Sequence, residues 1–170
     1  AGQSVELTIL AVLIGGTAVI YSGGSSTATV ANELKIADLK TARRIMLKNR
    51  AKTFTTLIKT GTGFNSAPVR PSFWAYTHPD MMKTLEAMPE YVPVEKYAAH
   101  TQVMENEIGA IPVIRFVVSD LASVATDSGV AVGSTGCITS GTKIDVYRTL
   151  IFGQNAFGVV PLGSKNFETI

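Results

Sequence analysis

The segment LKIADLKTARRIMLKNRAKTF, Leu34 to Phe54, places the tightest constraint on what this chain can fold into. At 100° per residue, Leu39, Ala42 and Met46 form one apolar stripe, flanked by Ile36, Ile45 and Leu47. A different face carries Lys40, Arg44, Lys48 and Lys52 at successive four-residue steps. The spacing predicts one amphipathic helix with a basic stripe. Such a helix does not stand alone. Burying four or five of those side chains contributes roughly 8–15 kcal/mol gross. Fixing about fifteen residues costs roughly 15–30 kcal/mol of conformational entropy. Helical hydrogen bonds offset part of the difference, and docking on a larger apolar surface must supply the rest.

The remaining sequence has the material for that surface. Hydrophobic residues make up 46% of the 170, in the ordinary globular range, enough for one domain or one domain plus an arm. FWAY reads as a strand. THPDMMKTLEAM reads as a helix, with Thr77 and Asp80 at capping-box spacing and Pro79 in the first turn. Pro89 and Pro93 end it. VIRFVV is a buried strand by its β-branched content, entered from a turn at Gly109 through Ile111-Pro112. KIDVYRTLIFG predicts a further strand, with NAFGVVPLG a candidate continuation of the sheet.

Upstream, Val5, Ile9, Val12 and Leu13 predict a helix stopped by Gly15-Gly16, and TAVIY a short strand. SGGSSTATV reads as an exposed flexible loop or arm, and GTGFNSAPVRPS as a linker or loop. With no internal repeat and no regular βαβ alternation, the fold class is α+β. The expected division is 1–31 as helix end and extended loop, 32–70 as long helix and linker, and 71–170 as an α+β domain.

Several functional classes lose support at this level. Val5 to Ile20 contains Glu6 and the glycine pair, too short and interrupted to span a bilayer, which predicts a soluble protein. The opening residue is Ala1, as expected of a processed product or a fragment. The single cysteine, Cys137, excludes an internal disulfide or a cysteine zinc cage. With no charged neighbour to activate it, it reads as inert. His78 and His100 lack metal-ligand spacing, so His78 reads as a capping or surface residue. GCITSGTK resembles a phosphate loop, but Thr142 and Lys143 stand in exchanged order and a strand follows, so it is rejected.

Two features remain. Glu105 and Glu107 alternate along a segment expected to be extended, which would put both carboxylates on one face about 7 Å apart. Carboxylates at that range serve glycoside hydrolysis. The bland alternative is a solvated pair at a strand end, charged to meet a basic surface or stay soluble. The second feature is charge segregation. Residues 35–52 hold seven of the fifteen cations and one acid, Asp38, whereas residues 80–120 hold seven of the thirteen acids and three cations. The basic face calls for a partner of opposite sign, either an acidic segment of a neighbouring copy or nucleic acid.

In order, LKIADLKTARRIMLKNRAKTF, FWAYTHPDMMKTLEAM, NEIGAIPVIRFVVSD and VYRTLIFGQNAFGVV resemble the major capsid protein of tailed double-stranded DNA bacteriophages, nearest the podovirus coat-protein family. That family follows a basic helix with a strand reaching H-P-D, matched by His78-Pro79-Asp80. A G-E-I-G turn leads into an R-F-V strand, matched by Glu107-Ile108-Gly109 and Arg115-Phe116-Val117. Its F-G-x-x-A-F-G is matched by Phe152-Gly153 and Ala156-Phe157-Gly158. Asn106 stands where the family has glycine before the glutamate, and Pro112-Val113 where it has a glycine pair.

The resemblance spans most of the chain and implies that it is a central portion of such a protein. It implies the Hong Kong capsid fold, with SGGSSTATV in an extended loop overlapping a neighbour, Ile36 to Arg50 as the spine helix, and residues from about 71 onward in the axial domain. It implies no active site, cofactor or metal. The partners implied are copies of itself in hexamers and pentamers, scaffolding or portal proteins, and packaged DNA bound without sequence preference. The location implied is the virion, assembled in the host cytoplasm. Lys40, Arg44, Lys48, Lys52, Glu105 and Glu107 then become candidate subunit-interface or DNA-facing charges. The alternatives are a nanocompartment shell protein, a nucleic-acid-binding module using the basic helix, and a hydrolase using Glu105 and Glu107.

Overall fold

A computed structural model describes residues 19–54, 71–97, 105–133, 139 and 141–158. The expected Val5–Leu13 helix, His100 and Cys137 lie outside these, as do most of the GTGFNSAPVRPS stretch and the end of NAFGVVPLG.

The basic segment forms helix α1, Ile36–Lys48. Its start is fixed by Asp38, whose carboxylate accepts from the Lys35 N–H at 3.1 Å and from the Ser22 hydroxyl at 2.9 Å. Its end is a Schellman turn: Arg50 N–H donates to Leu47 O and Ala51 N–H to Met46 O, with Arg50 at φ 55. The chain then leaves the helix axis. Lys52 bridges Gln154 and Phe54 bridges Ser72, both antiparallel. The four-step stripe is therefore corrected: Lys40, Arg44 and Lys48 lie on α1, and Lys52 does not. Pattern alone had no glycine or proline to mark this stop, because an arginine takes the left-handed position.

Five strands form one mixed sheet in the order β2-β3-β4-β1-β7. These are β1 Phe73–Thr77, β2 Val92–Pro93, β3 Glu107–Ile111, β4 Ile114–Val118 and β7 Leu150–Phe152. One strand in from the β7 edge is β1, parallel to β4 and antiparallel to β7. Its neighbours on both sides explain why four of its five residues are buried, which the apolar run FWAY foreshadows. A 3₁₀ turn, Pro79–Met81, and a short helix α2, Met82–Glu86, follow β1. The helix ends before Pro89, as expected. The N-cap of the 3₁₀ turn that leads into it, however, is His78, whose ring accepts from the Asp80 N–H. Thr77 is instead the last residue of β1, fully buried, with its hydroxyl 3.0 Å from that of Thr149.

Alternation along the strands sorts the core. Phe73 and Ala75 of β1, Ile114 and Phe116 of β4, and Ile111 of β3 cluster with Leu39 of α1, Leu85 of α2 and Met88. This is the surface on which α1 docks. The registers pair Phe73 with Ile114 and Trp74 with Arg115, so Trp74 and Arg115 share the opposite face.

The turn between β3 and β4 is Pro112-Val113, with Val113 at φ 74. This corrects the expected turn at Gly109, which sits inside β3. A Cβ there would lie 2.6 Å from the Tyr91 ring, so close packing rather than a turn excludes a side chain. The expected Lys143–Gly153 strand divides. β6, Val146–Tyr147, pairs with β5, Val124–Ala125, in a small second sheet, and β7 returns to the large one. Between them Arg148 N–H donates to Ser123 O. Asn155 to Gly158 contribute no strand, and neither do Val19 to Tyr21, where one was expected.

Ser22 to Val30 forms turns around a 3₁₀ segment, Thr27–Thr29, rather than a free arm. Thr29 Oγ1 accepts from the N–H of both Ser25 and Ser26 at 2.9 Å, and Asn32 N–H donates to Ser22 O. The α+β class holds: among the described residues two helices stand beside two separate sheets, without βαβ repetition.

Candidate functional site

The two glutamates do not form a pair. Glu105 is exposed in a turn, Asn106 takes φ 62, and Glu107 opens β3 with its side chain fully buried. The left-handed residue between them breaks the alternation that would have aligned their carboxylates. Reading Glu107 as a rim charge is corrected as well, since it faces inward.

What Glu107 meets there is Arg115. On the sheet face opposite α1, Arg115 Nη1 lies 3.1 Å from Glu107 Oε1, and the Tyr97 hydroxyl donates to that same oxygen at 3.1 Å. The guanidinium sits between two rings, 5.2 Å from the centre of Tyr97 and 5.9 Å from that of Trp74. Register explains the meeting: Ala110 opposes Arg115 and Glu107 opposes Val117, so the charges are diagonal neighbours on one face. Burial, then the charge of Glu107, pushes the Tyr97 hydroxyl well above its ordinary range. It stays a donor at neutral pH. The arrangement is a charge pair buried in a hairpin, with one Glu107 oxygen accepting from both Arg115 and Tyr97. The nearby cavity of about 30 Å³ lies on the other side of the sheet, lined by Leu39, Lys40, Arg43, Glu90, Ile111, Pro112 and Ile114, and has room for water only.

This triad was the site that pattern reading missed. Its signal was present: an arginine inside the apolar run VIRFVV requires a partner of opposite charge.

A second polar cluster joins the two sheets. Tyr147 Oη donates to Asp80 Oδ2 at 2.8 Å, and the His78 ring lies 5.2 Å from that of Tyr147. His78 is the capping residue expected. Among the described residues, no group of three or more His, Cys, Asp or Glu could hold a metal ion. No helix among them is long and apolar enough to cross a membrane.

The basic face is exposed. Lys40 pairs with Glu90 across 2.6 Å, so one helix cation already meets the acidic segment of its own chain. Arg43, Arg44, Lys48, Arg50 and Lys52 are exposed and make no ion pair among the described residues. Leu47 lies among them, 53% exposed.

The tyrosines carry a pH prediction. Burial, then the charges of Glu86 and Glu95, pushes the Tyr91 hydroxyl up to about 12. Burial, then the hydrogen bond to Asp80, does the same for Tyr147. The unfolded chain ionises these groups nearer 10.0 and so holds fewer protons than the folded chain above that pH. Their contribution to stability is complete below pH 10 and is lost as pH rises toward 12. Urea midpoints across that window should fall, with tyrosinate absorbance rising as the chain unfolds. A flat midpoint through pH 11.5 would contradict this.

No family model matches the chain, and no curated protein matches it.

Proposed function

We propose that this chain is a structural subunit of an icosahedral phage shell, with the Hong Kong capsid fold, assembling from copies of itself around packaged DNA and carrying no catalytic centre. The observation that carries this reading is the hairpin of β3 and β4. The two capsid-like motifs there, Glu107-Ile108-Gly109 and Arg115-Phe116-Val117, supply the partners of the buried ion pair. Asn106 and Val113 stand where the resembling family has glycine, and both have positive φ, at 62 and 74. A β-branched residue at such an angle is costly, so the turn geometry is kept here against local preference. Helix α1 lying across one face of a mixed sheet is compatible with a spine helix on an axial domain.

The full-length protein is expected to form closed shells, seen by light scattering and negative-stain microscopy over a range of salt, with and without scaffolding protein. Monomers alone under every condition would end this reading. Shells containing an enzyme rather than DNA would point to a nanocompartment.

A nucleic-acid-binding module is the second reading, favoured by the exposed cations of α1. It expects a salt-sensitive gel shift with duplex DNA that disappears when Lys40, Arg44, Lys48 and Lys52 are changed to Glu in a chain that still folds.

A further inference from the structure

We propose that the sheet face opposite α1 carries, at its β7 end, a stacking platform for single-stranded nucleic acid, with a base on Phe157 and a neighbouring phosphate on Lys52. This contact is separate from the shell reading and from the duplex-binding reading of α1. Four rings build the platform, edge-on to one another: Phe54 meets Trp74 and Phe152 at 6.3 Å each, and Phe152 meets Phe157 at 5.9 Å. Exposure rises along the row. Trp74 is buried, Phe54 and Phe152 are half-buried, and Phe157 is 43% exposed. The last ring is held by its packed neighbours and open to solvent.

Backbone pairing joins the charge to the rings. Lys52 and Gln154 oppose each other across an antiparallel bridge, with Gln154 N–H donating to Lys52 O at 2.8 Å. Each stands two residues from a ring, Lys52 from Phe54 and Gln154 from Phe152, so alternation sets both on the ring face. A Cβ on Gly153 would lie 2.6 Å from Lys52 O, so glycine is what lets the two segments approach this closely. Lys52 itself is exposed.

The surroundings select an anion. Residues 39–54 carry six cations and residues 146–158 one, and neither stretch contains Asp or Glu. Glu107, on the same face, is buried and paired with Arg115. Asp80 lies past the far end of β1, bonded to Tyr147. A polyanion with free base faces matches both halves of the platform: phosphates meet the cations, and every base has a π-face for the ring. A duplex keeps its bases stacked on one another and has none to give Phe157. The Gln154 amide adds a donor and an acceptor for base edges.

The test titrates the full chain into labelled oligothymidylate and reads fluorescence anisotropy over a salt series, with a duplex of the same length in parallel. Wild type should bind the single strand more tightly than the duplex, and more weakly as salt rises. Phe157→Ala should weaken single-strand binding roughly 5- to 100-fold, with its salt slope and any duplex binding unchanged. Phe157→Tyr keeps the ring and should bind as wild type does. Lys52→Gln should flatten the salt slope by about 0.7, the share of one phosphate. Circular dichroism checks that each variant folds. No single-strand binding by wild type, equal binding of the duplex, or unchanged affinity in folded Phe157→Ala overturns the platform and leaves the shell reading standing. Should Phe157→Ala fail to fold, an unchanged slope in Lys52→Gln overturns it instead. Phe157→Ala that binds normally but no longer self-associates in sedimentation velocity assigns the ring to a contact between copies, which also overturns the proposal. Monomeric wild type ends the shell reading without touching this one.

Discussion

Replacing Arg115 with alanine is expected to destabilise the chain by about 3–5 kcal/mol, read as a lower urea midpoint. The loss does not come from the ion pair being strongly favourable. It comes from what is left behind: the Glu107 side chain is fully buried, and its charge would have lost the guanidinium 3.1 Å away. The change also empties the space between the rings of Tyr97 and Trp74. Buried charges are little screened, so 1 M salt should leave the loss nearly unchanged. Replacing both partners with apolar residues, Glu107→Leu with Arg115→Met, should cost far less than the single change, because no charge is stranded. An Arg115→Ala midpoint within error of wild type would refute this account of the site.

Phe116→Ala is expected to cost a similar amount, about 3–5 kcal/mol, through a different cause. Phe116 is the next residue along β4 and faces the other way, fully buried with Phe73, Ile114 and Leu39. Truncation removes apolar contact between the sheet and α1 and leaves a cavity that the strands on either side of β4 keep from collapsing. Phe157→Ala, at a ring 43% exposed, is the control and should cost under about 1 kcal/mol. A Phe116→Ala loss no larger than the control's would mean that α1 is not held by this face.

These two neighbours show which parts of the molecule were legible in the sequence. Phe116 was readable because burial follows composition: β-branched and aromatic residues in a short run have few other uses. Arg115 in the same run was readable only as a requirement, since a buried cation needs an anion but does not say which one. The diagonal register and the shift between Glu107 and Gly109 decide that, and neither appears in the spacing. Lys52 failed for a related reason. Helical periodicity cannot see a helix end made by an arginine in the left-handed region. Gly109 was misread because glycine serves turns and close approaches alike, and here the Tyr91 ring sets its use. Thr77 fits a capping box by letters, but the strand holds it until His78 takes the cap.

Strand β1 has one further consequence. Both strands beside it, β4 and β7, come from later in the chain. A ribosome adding about 5–20 residues per second takes on the order of 4–16 s to go from Phe73 to Phe152. Through that interval Phe73, Trp74 and Ala75 have emerged without the last neighbour that completes their shelter. Newly made chains therefore pass through a stage attractive to holding chaperones, and crowded synthesis would favour clumping over correct closure.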